Sequence, residues 1–481
     1  MIRELLLNQT HWAKTAVIDG DDTLTYGQLA QRAAGICAQL PTDGGNIVAV
    51  FLPNSADYLA ALFGILMGGL TVFPLSITLT EPEIAALLAQ LNVQTVVTTK
   101  EHWSMFNSLD NPPKILCVED IAPCAVEALA SVPATAPGTP MVLLSTSGTY
   151  GKAKIVMLSE QNMVTCVQNH LDKMAHEKCE EEIRYLLCTP FSSAYGMFIL
   201  LFLALEGYTL VLMRETFTLD AFYRTIARYK VTHSETGTAA ITLMAQNAWR
   251  EIPYDITSAR WYGFGGSGIS KELLGQLRTS FPWAEFWPGY GMTETSPMVS
   301  KVNQHLPTSK LASVGTAVKS MTIMVEVDGV RTNAPFVQGE VVVKGTNVML
   351  GYYENEAETA KMIRDGWLHT GDVGYLDEEK YLYICGRIKN IILVRGFTVY
   401  AEEVEACILS SGLAQACVVY GKPDGAGNEK VCAEIVPIAP GVTAESIQAW
   451  CSSHLAAYKC PQELILKDAL DKTATEKVKR L

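Results

Sequence analysis

Residues 143–154 read Leu-Leu-Ser-Thr-Ser-Gly-Thr-Tyr-Gly-Lys-Ala-Lys. The apolar run from Met141 to Leu144 predicts a buried strand. The Ser/Thr/Gly segment behind it predicts the loop that this strand delivers. Gly148 and Gly151 admit backbone conformations that a side chain would obstruct. Successive backbone N–H groups in such a turn can face inward around an anion. Ser145, Thr146, Ser147 and Thr149 add hydroxyl donors, and Lys152 and Lys154 add positive charge. That donor set suits a polyphosphate. It is not a Walker A loop, because GxxxxGK followed by Ser or Thr is absent. For a loop of this composition alone, a solvated Ser/Gly connection is the plainer alternative.

With 481 residues the chain exceeds the size of one core, so two or more domains are expected. Its 49% apolar content is that of a globular protein. A net charge of -13 argues against nucleic acid as a partner, yet allows a locally positive pocket. Twelve cysteines without a CxxC pair point to a reducing compartment, not to a disulfide framework or a structural zinc site. The first residues turn polar too quickly for a signal peptide. The most apolar stretch, residues 196–213, is interrupted by Glu206 and Gly207 and falls short of a membrane span. A cytoplasmic protein without stable membrane insertion is expected.

Ahead of the loop, strand-like and helix-like segments alternate. Residues 23–29 read as a strand entering a helix that continues over 30–40. Residues 46–52, 71–75, 93–98 and 114–118 read as strands, and 55–66 and 82–91 as helices. This cadence predicts an α/β domain with parallel strands. Beyond the loop, Ser159 is placed to cap a helix over 159–169. A strand over 185–189, a helix over 217–230 and a strand over 231–235 follow. Residues 314–345 form a glycine-punctuated β region.

Several later stretches carry chemistry. Trp-Tyr-Gly-Phe-Gly-Gly-Ser-Gly-Ile, residues 261–269, is a glycine-rich piece with Ser267 beside Gly265 and Gly266; most such pieces are turns. In Gly-Tyr-Gly-Met-Thr-Glu, residues 289–294, Tyr290 offers a ring for stacking and Thr293 a hydroxyl for a phosphate. Glu294 offers a carboxylate to Mg²⁺, which prefers oxygen ligands and phosphate partners. A capped turn would use the same residues. Asp372 can accept from two neighbouring hydroxyls, although an Asp-Gly hairpin is the bland reading. Three lysines and an arginine close the chain, by themselves a charged tail.

Taken in order, these segments resemble the motifs of the adenylate-forming (ANL) superfamily: acyl-CoA synthetases, luciferases and the adenylation domains of peptide synthetases. Residues 145–154 resemble its TSGTTGxPK, with Tyr150 for the second threonine and Ala153 for the proline. Residues 289–294 match its YGxTE, and residues 471–481 resemble its PKTxxGKxxR, with Glu476 in place of the glycine. The resemblance runs from Tyr26 to Arg480. It implies an α/β fold in two parts. A large multi-subdomain N-terminal domain over residues 1–388 would have parallel-rich sheets and a small β subdomain. A small mobile α+β C-terminal domain would occupy residues 389–481.

The resemblance also assigns roles. Thr146, Ser147, Gly148, Thr149, Gly151 and Lys154 would hold the β- and γ-phosphates of ATP. Gly266, Ser267 and Tyr290 would border the adenine, Asp372 the ribose, and Arg387 the ribose or a phosphate. Thr293 and Glu294 would serve the phosphates, with Glu294 the ligand of Mg²⁺. Lys477 would align the substrate carboxylate with the α-phosphate. Ser193, Gly237, Phe264 and Gly291 would line the acid pocket, Lys389 would be the hinge, and Gly396 would lie on the thiol side.

The implied reaction is activation of a carboxylic acid with release of pyrophosphate, followed by transfer to a thiol, with CoA the favoured acceptor. Residues 190–196 lack the aspartate that in relatives meets an α-ammonium, which favours a fatty or aryl acid over an amino acid. Ser193 stands where acyl-CoA synthetases commonly carry histidine, which leaves the size of the acid open. Three alternatives stay open: a phosphopantetheinyl carrier protein as acceptor; a catalytically degenerate nucleotide-binding or scaffold protein, given the departures at Tyr150, Ala153, Ala401 and Glu476; and a small amino acid in an unusual pocket.

Overall fold

The computed structural model describes residues 9–41, 47–126, 138–146, 153–174, 182–302, 305–394, 397–424 and 429–471. A large mixed α/β lobe is built on three sheets. Sheet A runs in the order Thr316–Ala317, Ser300–Lys301, Glu285–Tyr290, Trp261–Gly265, His233–Gly237, Arg184–Leu187, Thr209–Val211, Thr15–Asp19, Asp22–Thr25. From Glu285–Tyr290 to Thr15–Asp19 its neighbours are parallel. Sheet B runs Gly351–Tyr352, Lys154–Ser159, Pro140–Thr146, Thr71–Pro74, Ile47–Val50, Thr95–Thr98, Lys114–Cys117. Sheet C is antiparallel and contains Met321–Val327, Gly339–Gly345, Trp367–Leu376 and Leu382–Arg387.

The helices follow from capping and pattern. Ser55 Oγ accepts from the Tyr58 N–H at the start of Ala56–Met67. Every residue of that helix except Asp57 is buried, as expected of a helix apolar on all sides. Ala194–Glu206 repeats this arrangement, capped by Ser193 and stopped by Gly207 at φ 66°. The apolar stretch over 196–213 is therefore a core helix followed by the strand Thr209–Val211. Among the described residues no helix is long and apolar enough to cross a membrane.

A smaller α+β lobe follows Lys389. Its core, from Ile392 to Cys460, is separate from the cores of the large lobe. It packs the helices Ala401–Ser410 and Ala444–His454 with a sheet of Ala414–Pro423, Glu429–Pro437 and Glu463–Leu466. Gln246 Nε2 donates to the Ala414 carbonyl at 2.9 Å. Gln338 Nε2 donates to the Tyr400 hydroxyl at 3.0 Å.

Four elements differ from the sequence reading. Lys154–Ser159 is a strand antiparallel to Pro140–Thr146, where the sequence reading placed no strand. Its buried Ile155, Val156 and Leu158 make a short apolar run that pairs as a strand, and the helix begins only at Glu160. The strand Thr15–Asp19 was not anticipated; it pairs with Asp22–Thr25 across Gly20, and Thr25 caps the next helix. The strand expected at 231–235 occupies His233–Gly237. The glycine-rich stretch begins as the strand Trp261–Gly265. These last two shifts bring Gly237 and Gly265 into register at the ends of neighbouring parallel strands.

Candidate active site

Open parallel sheets offer ligand sites beyond the carboxyl ends of their strands. In sheet A those ends are Gly237, Gly265 and Tyr290. Thr238 Oγ1 donates to the carbonyls of Gly265 and Ser267, at 3.1 and 2.8 Å, and so fixes the turn after Trp261–Gly265. Gly266 lies in this turn at φ 98°, and a methyl on it would meet nothing within 4 Å. Backbone is thus presented to open space, as a flat ring requires.

Asp372 is the centre of the first cluster. Its strand pairs it with Arg387, whose Nε donates to Oδ1 at 2.9 Å. Tyr290 donates its hydroxyl to Oδ2 at 2.6 Å, and Thr370 Oγ1 accepts from the Asp372 N–H. Three residues drawn from separate motifs therefore meet. Each carboxylate oxygen keeps a lone pair after these bonds, so two ribose hydroxyls can be accepted without breaking the cluster. Burial raises the Asp372 carboxyl above its ordinary value of 3.8, with the Arg387 charge and the Tyr290 bond opposing. A raised value means that the fold favours the protonated form. Stability from this group therefore grows as pH falls, while its capacity to accept is lost. Nucleotide affinity, followed by calorimetry downward from pH 7, is expected to lose this component through a midpoint above 3.8. Asp372→Asn should remove the component and weaken binding about tenfold or more.

Glu294 is the centre of the second cluster. It lies 7% exposed in the turn Thr293–Thr295. Tyr352 donates its hydroxyl to Glu294 Oε1 at 2.8 Å. Among the described residues no lysine or arginine is within ion-pair distance of Glu294. A buried carboxylate without a cation partner fits a divalent cation. Tyr352 pairs with Val156 in sheet B. Its ring also lies 5.3 Å from Lys154 Nζ. Lys154 binds Glu358 Oε2 at 2.6 Å and holds that carboxyl down to about 2. Thr146 Oγ1 donates to the Lys154 carbonyl at 3.2 Å. The root of the loop and the Thr293–Glu294 turn are thus joined through Tyr352.

The remaining expected residues divide. Ser147, Gly148, Thr149, Gly151, Gly396 and Lys477 lie outside the described residues. Lys389 is exposed in the 3₁₀ turn Ile388–Asn390 between the lobes. Ser193 has its hydroxyl committed to the helix start, donating to Pro190 O at 2.8 Å and accepting from Gly196 N–H at 3.0 Å. Phe264 lies in the strand Trp261–Gly265. Alternation along the strand turns it away from the face of Gly263 and Gly265, and it is 2% exposed in the main core. Gly237 borders open space, with nothing within 4 Å of an added methyl. Gly291 abuts the Pro297 carbonyl and is accounted for by packing.

Sequence reasoning missed Tyr352 as the partner of Glu294. It also missed a buried group formed by Glu235, Tyr195, Lys301 and His170. A glutamate inside the run His-Ser-Glu-Thr-Gly, between otherwise uncharged strand residues, was the available signal.

This fold and site define an adenylate-forming enzyme, and comparison with known proteins agrees. Residues 7–353 match the AMP-binding enzyme family, and residues 403–477 match the AMP-binding enzyme C-terminal domain. The chain belongs to this family, whose members activate carboxylic acids as adenylates. It is 29% identical to a feruloyl-CoA synthase from an Amycolatopsis species, over 96% of this chain and 94% of that one. It resembles the Bacillus subtilis O-succinylbenzoate CoA synthetase in complex with AMP, with a TM-score of 0.84 and 26% identity, over 98% of this chain and 96% of that one. A double mutant of the same synthetase, bound to a product analogue, gives a TM-score of 0.69 at 26% identity, over 99% and 96% of the two chains.

Proposed function

We propose that the protein couples ATP to the activation of a fatty or aryl carboxylic acid and passes the acyl group to CoA. The meeting of Tyr290, Asp372 and Arg387 at the ends of the sheet A strands carries this reading. A carboxylate is a poor electrophile. Its oxygen attacks the α-phosphorus of ATP, pyrophosphate leaves, and the acyl carbon gains AMP as a leaving group. The protein contributes alignment and charge neutralisation. Asp372 and Arg387 orient the ribose, the Gly265–Ser267 turn takes the adenine, and Lys154 with the loop from Thr146 takes the β- and γ-phosphates. Glu294 would hold Mg²⁺, which supplies further neutralisation of phosphate charge when bound. Lys477 aligns the carboxylate with the α-phosphorus. In the second half-reaction the CoA sulfur attacks the acyl carbon, AMP leaves, and the thiol proton passes to solvent.

Lys389 is the hinge in this reading, with residues 1–388 and 389–481 as the two bodies. The described cysteines are free, which supports a reducing, cytoplasmic setting. The relatives named above are CoA synthetases by name, which favours CoA over a carrier protein, and the acids in those names are not amino acids, which favours an acid without an α-ammonium.

The test is ATP–pyrophosphate exchange over fatty acids, aryl acids, dicarboxylates and amino acids, with Mg²⁺ and no thiol. Exchange with one class of acid, followed by thioester formation with CoA, is expected. Exchange confined to amino acids would overturn the choice of acid. Loading of a carrier protein far faster than CoA would overturn the choice of acceptor.

A further inference from the structure

On one face of sheet A the strand ends carry no side chains. Glu235 is in register with Gly263, and Gly237 with Gly265. Gly263 is in register with Trp287, which places Gly289 one step further on the same face. The outer row, nearest the nucleotide site, is Gly237, Gly265 and Gly289. The next row inward is Glu235, Gly263 and Trp287. Below that, His233 stacks between Tyr185 and Trp261, at 4.6 and 4.5 Å, and closes the trough.

The trough ends on a built charge cluster. Glu235 is 4% exposed. Its carboxylate lies over Gly263, where an added methyl would come within 2.1 Å of Oε2. Tyr195, from the start of the helix Ala194–Glu206, donates its hydroxyl to that oxygen. Lys301 Nζ is 3.6 Å from the other oxygen, beyond hydrogen-bond length, and is itself bonded to His170 Nδ1 at 3.0 Å. A cavity of about 10 Å³ lies on the inner side of Glu235, toward His233, Tyr185 and Trp261, and also touches Gly263 and Lys301. That is room for about one water. A buried carboxylate with spare acceptor capacity, facing a glycine-floored slot, is costly as scaffold alone.

We propose that Glu235 reads the far end of the acid, selecting substrates that carry a neutral hydrogen-bond donor there: a phenol, an aryl amine or an alcohol. This rests on the function proposed above. Two strand residues separate the outer glycines from Glu235, about 7 Å, which is the reach of one benzene ring bearing a para substituent. Lys301 already offsets the charge of Glu235, so a further ammonium at that point is repelled. An unsubstituted ring would leave the spare lone pairs of Glu235 Oε1 desolvated without a donor, and a site built to bond a hydroxyl rejects the analogue that lacks it.

The experiment compares 4-hydroxybenzoate and 4-aminobenzoate with benzoate and 4-methylbenzoate in pyrophosphate exchange. It is paired with calorimetric affinities of the corresponding aroyl-sulfamoyl adenosines. The donor-bearing members are expected to lead by at least about tenfold in kcat/KM and in affinity. In Glu235→Gln the ratio between donor-bearing and apolar members should change by about tenfold. Equal exchange with both kinds of acid in the unaltered enzyme would overturn the reading of Glu235 while upholding adenylation. The unaltered chain supplies that ratio, so the test holds whether or not the variant folds. Absence of exchange and of analogue binding with every acid would sink both.

Discussion

Lys477→Ala is expected to lower adenylate formation by about a hundred- to a thousandfold while leaving thioester formation from supplied adenylate nearly intact. A lysine is a point charge on a long stem and can meet the substrate carboxylate and the α-phosphate together. No other residue is assigned to both reacting groups in this reading. The C-terminal family match runs through residue 477. Glu476 precedes it where the superfamily motif has glycine, so the variant also tests whether the lysine keeps its role beside a carboxylate. Pyrophosphate exchange and single-turnover thioester formation separate the two half-reactions. An unchanged first half-reaction would remove Lys477 from the mechanism.

Gly291→Ala is expected to cost about 3 kcal/mol or more of stability and to lower adenylation by at least the effect of losing Glu294. A methyl on Gly291 would lie 1.6 Å from the Pro297 carbonyl oxygen and 2.5 Å from its carbon. Both are backbone atoms, so relief requires opening the turn from 291 to 297. Tyr290, Thr293 and Glu294 ride on that turn, and the Asp372 and Glu294 clusters move with it. Gly275→Ala is the matched control. It lies inside the helix Lys271–Ser280, and an added methyl there would touch only Leu311 at 3.9 Å. Its melting point should stay level or rise, as alanine outranks glycine in a helix. Equal melting points for both variants would show that the Gly291 contact relaxes without cost.

Much of the fold was legible because its signals are local. Ser55 and Ser159 announce helix starts through their own hydroxyls. The glycine-punctuated region over 314–345 is a set of alternating strands, and Met321–Val327 buries its alternate residues. The antiparallel return of Lys154–Ser159 was not legible, since a six-residue apolar segment pairs as a strand only if a neighbour offers its edge. That edge belongs to Pro140–Thr146 on one side and to Gly351–Tyr352 on the other, the latter nearly two hundred positions away.

The site divides in the same way. Tyr290, Glu294, Asp372 and Arg387 are each carried by a short motif whose chemistry can be named residue by residue. Their order along the chain was enough to place the protein in its superfamily. Their contacts were not in the motifs. The bond from Tyr290 to Asp372, the service of Tyr352 to Glu294, and the seating of Glu235 over Gly263 depend on strand register and on which face a residue takes. A slip of one residue reverses the face. Motifs report the chemistry available along the chain. Which acid the site accepts rests on the side chains that sheet A holds above its glycines, and those are brought together by packing between segments that are distant in sequence.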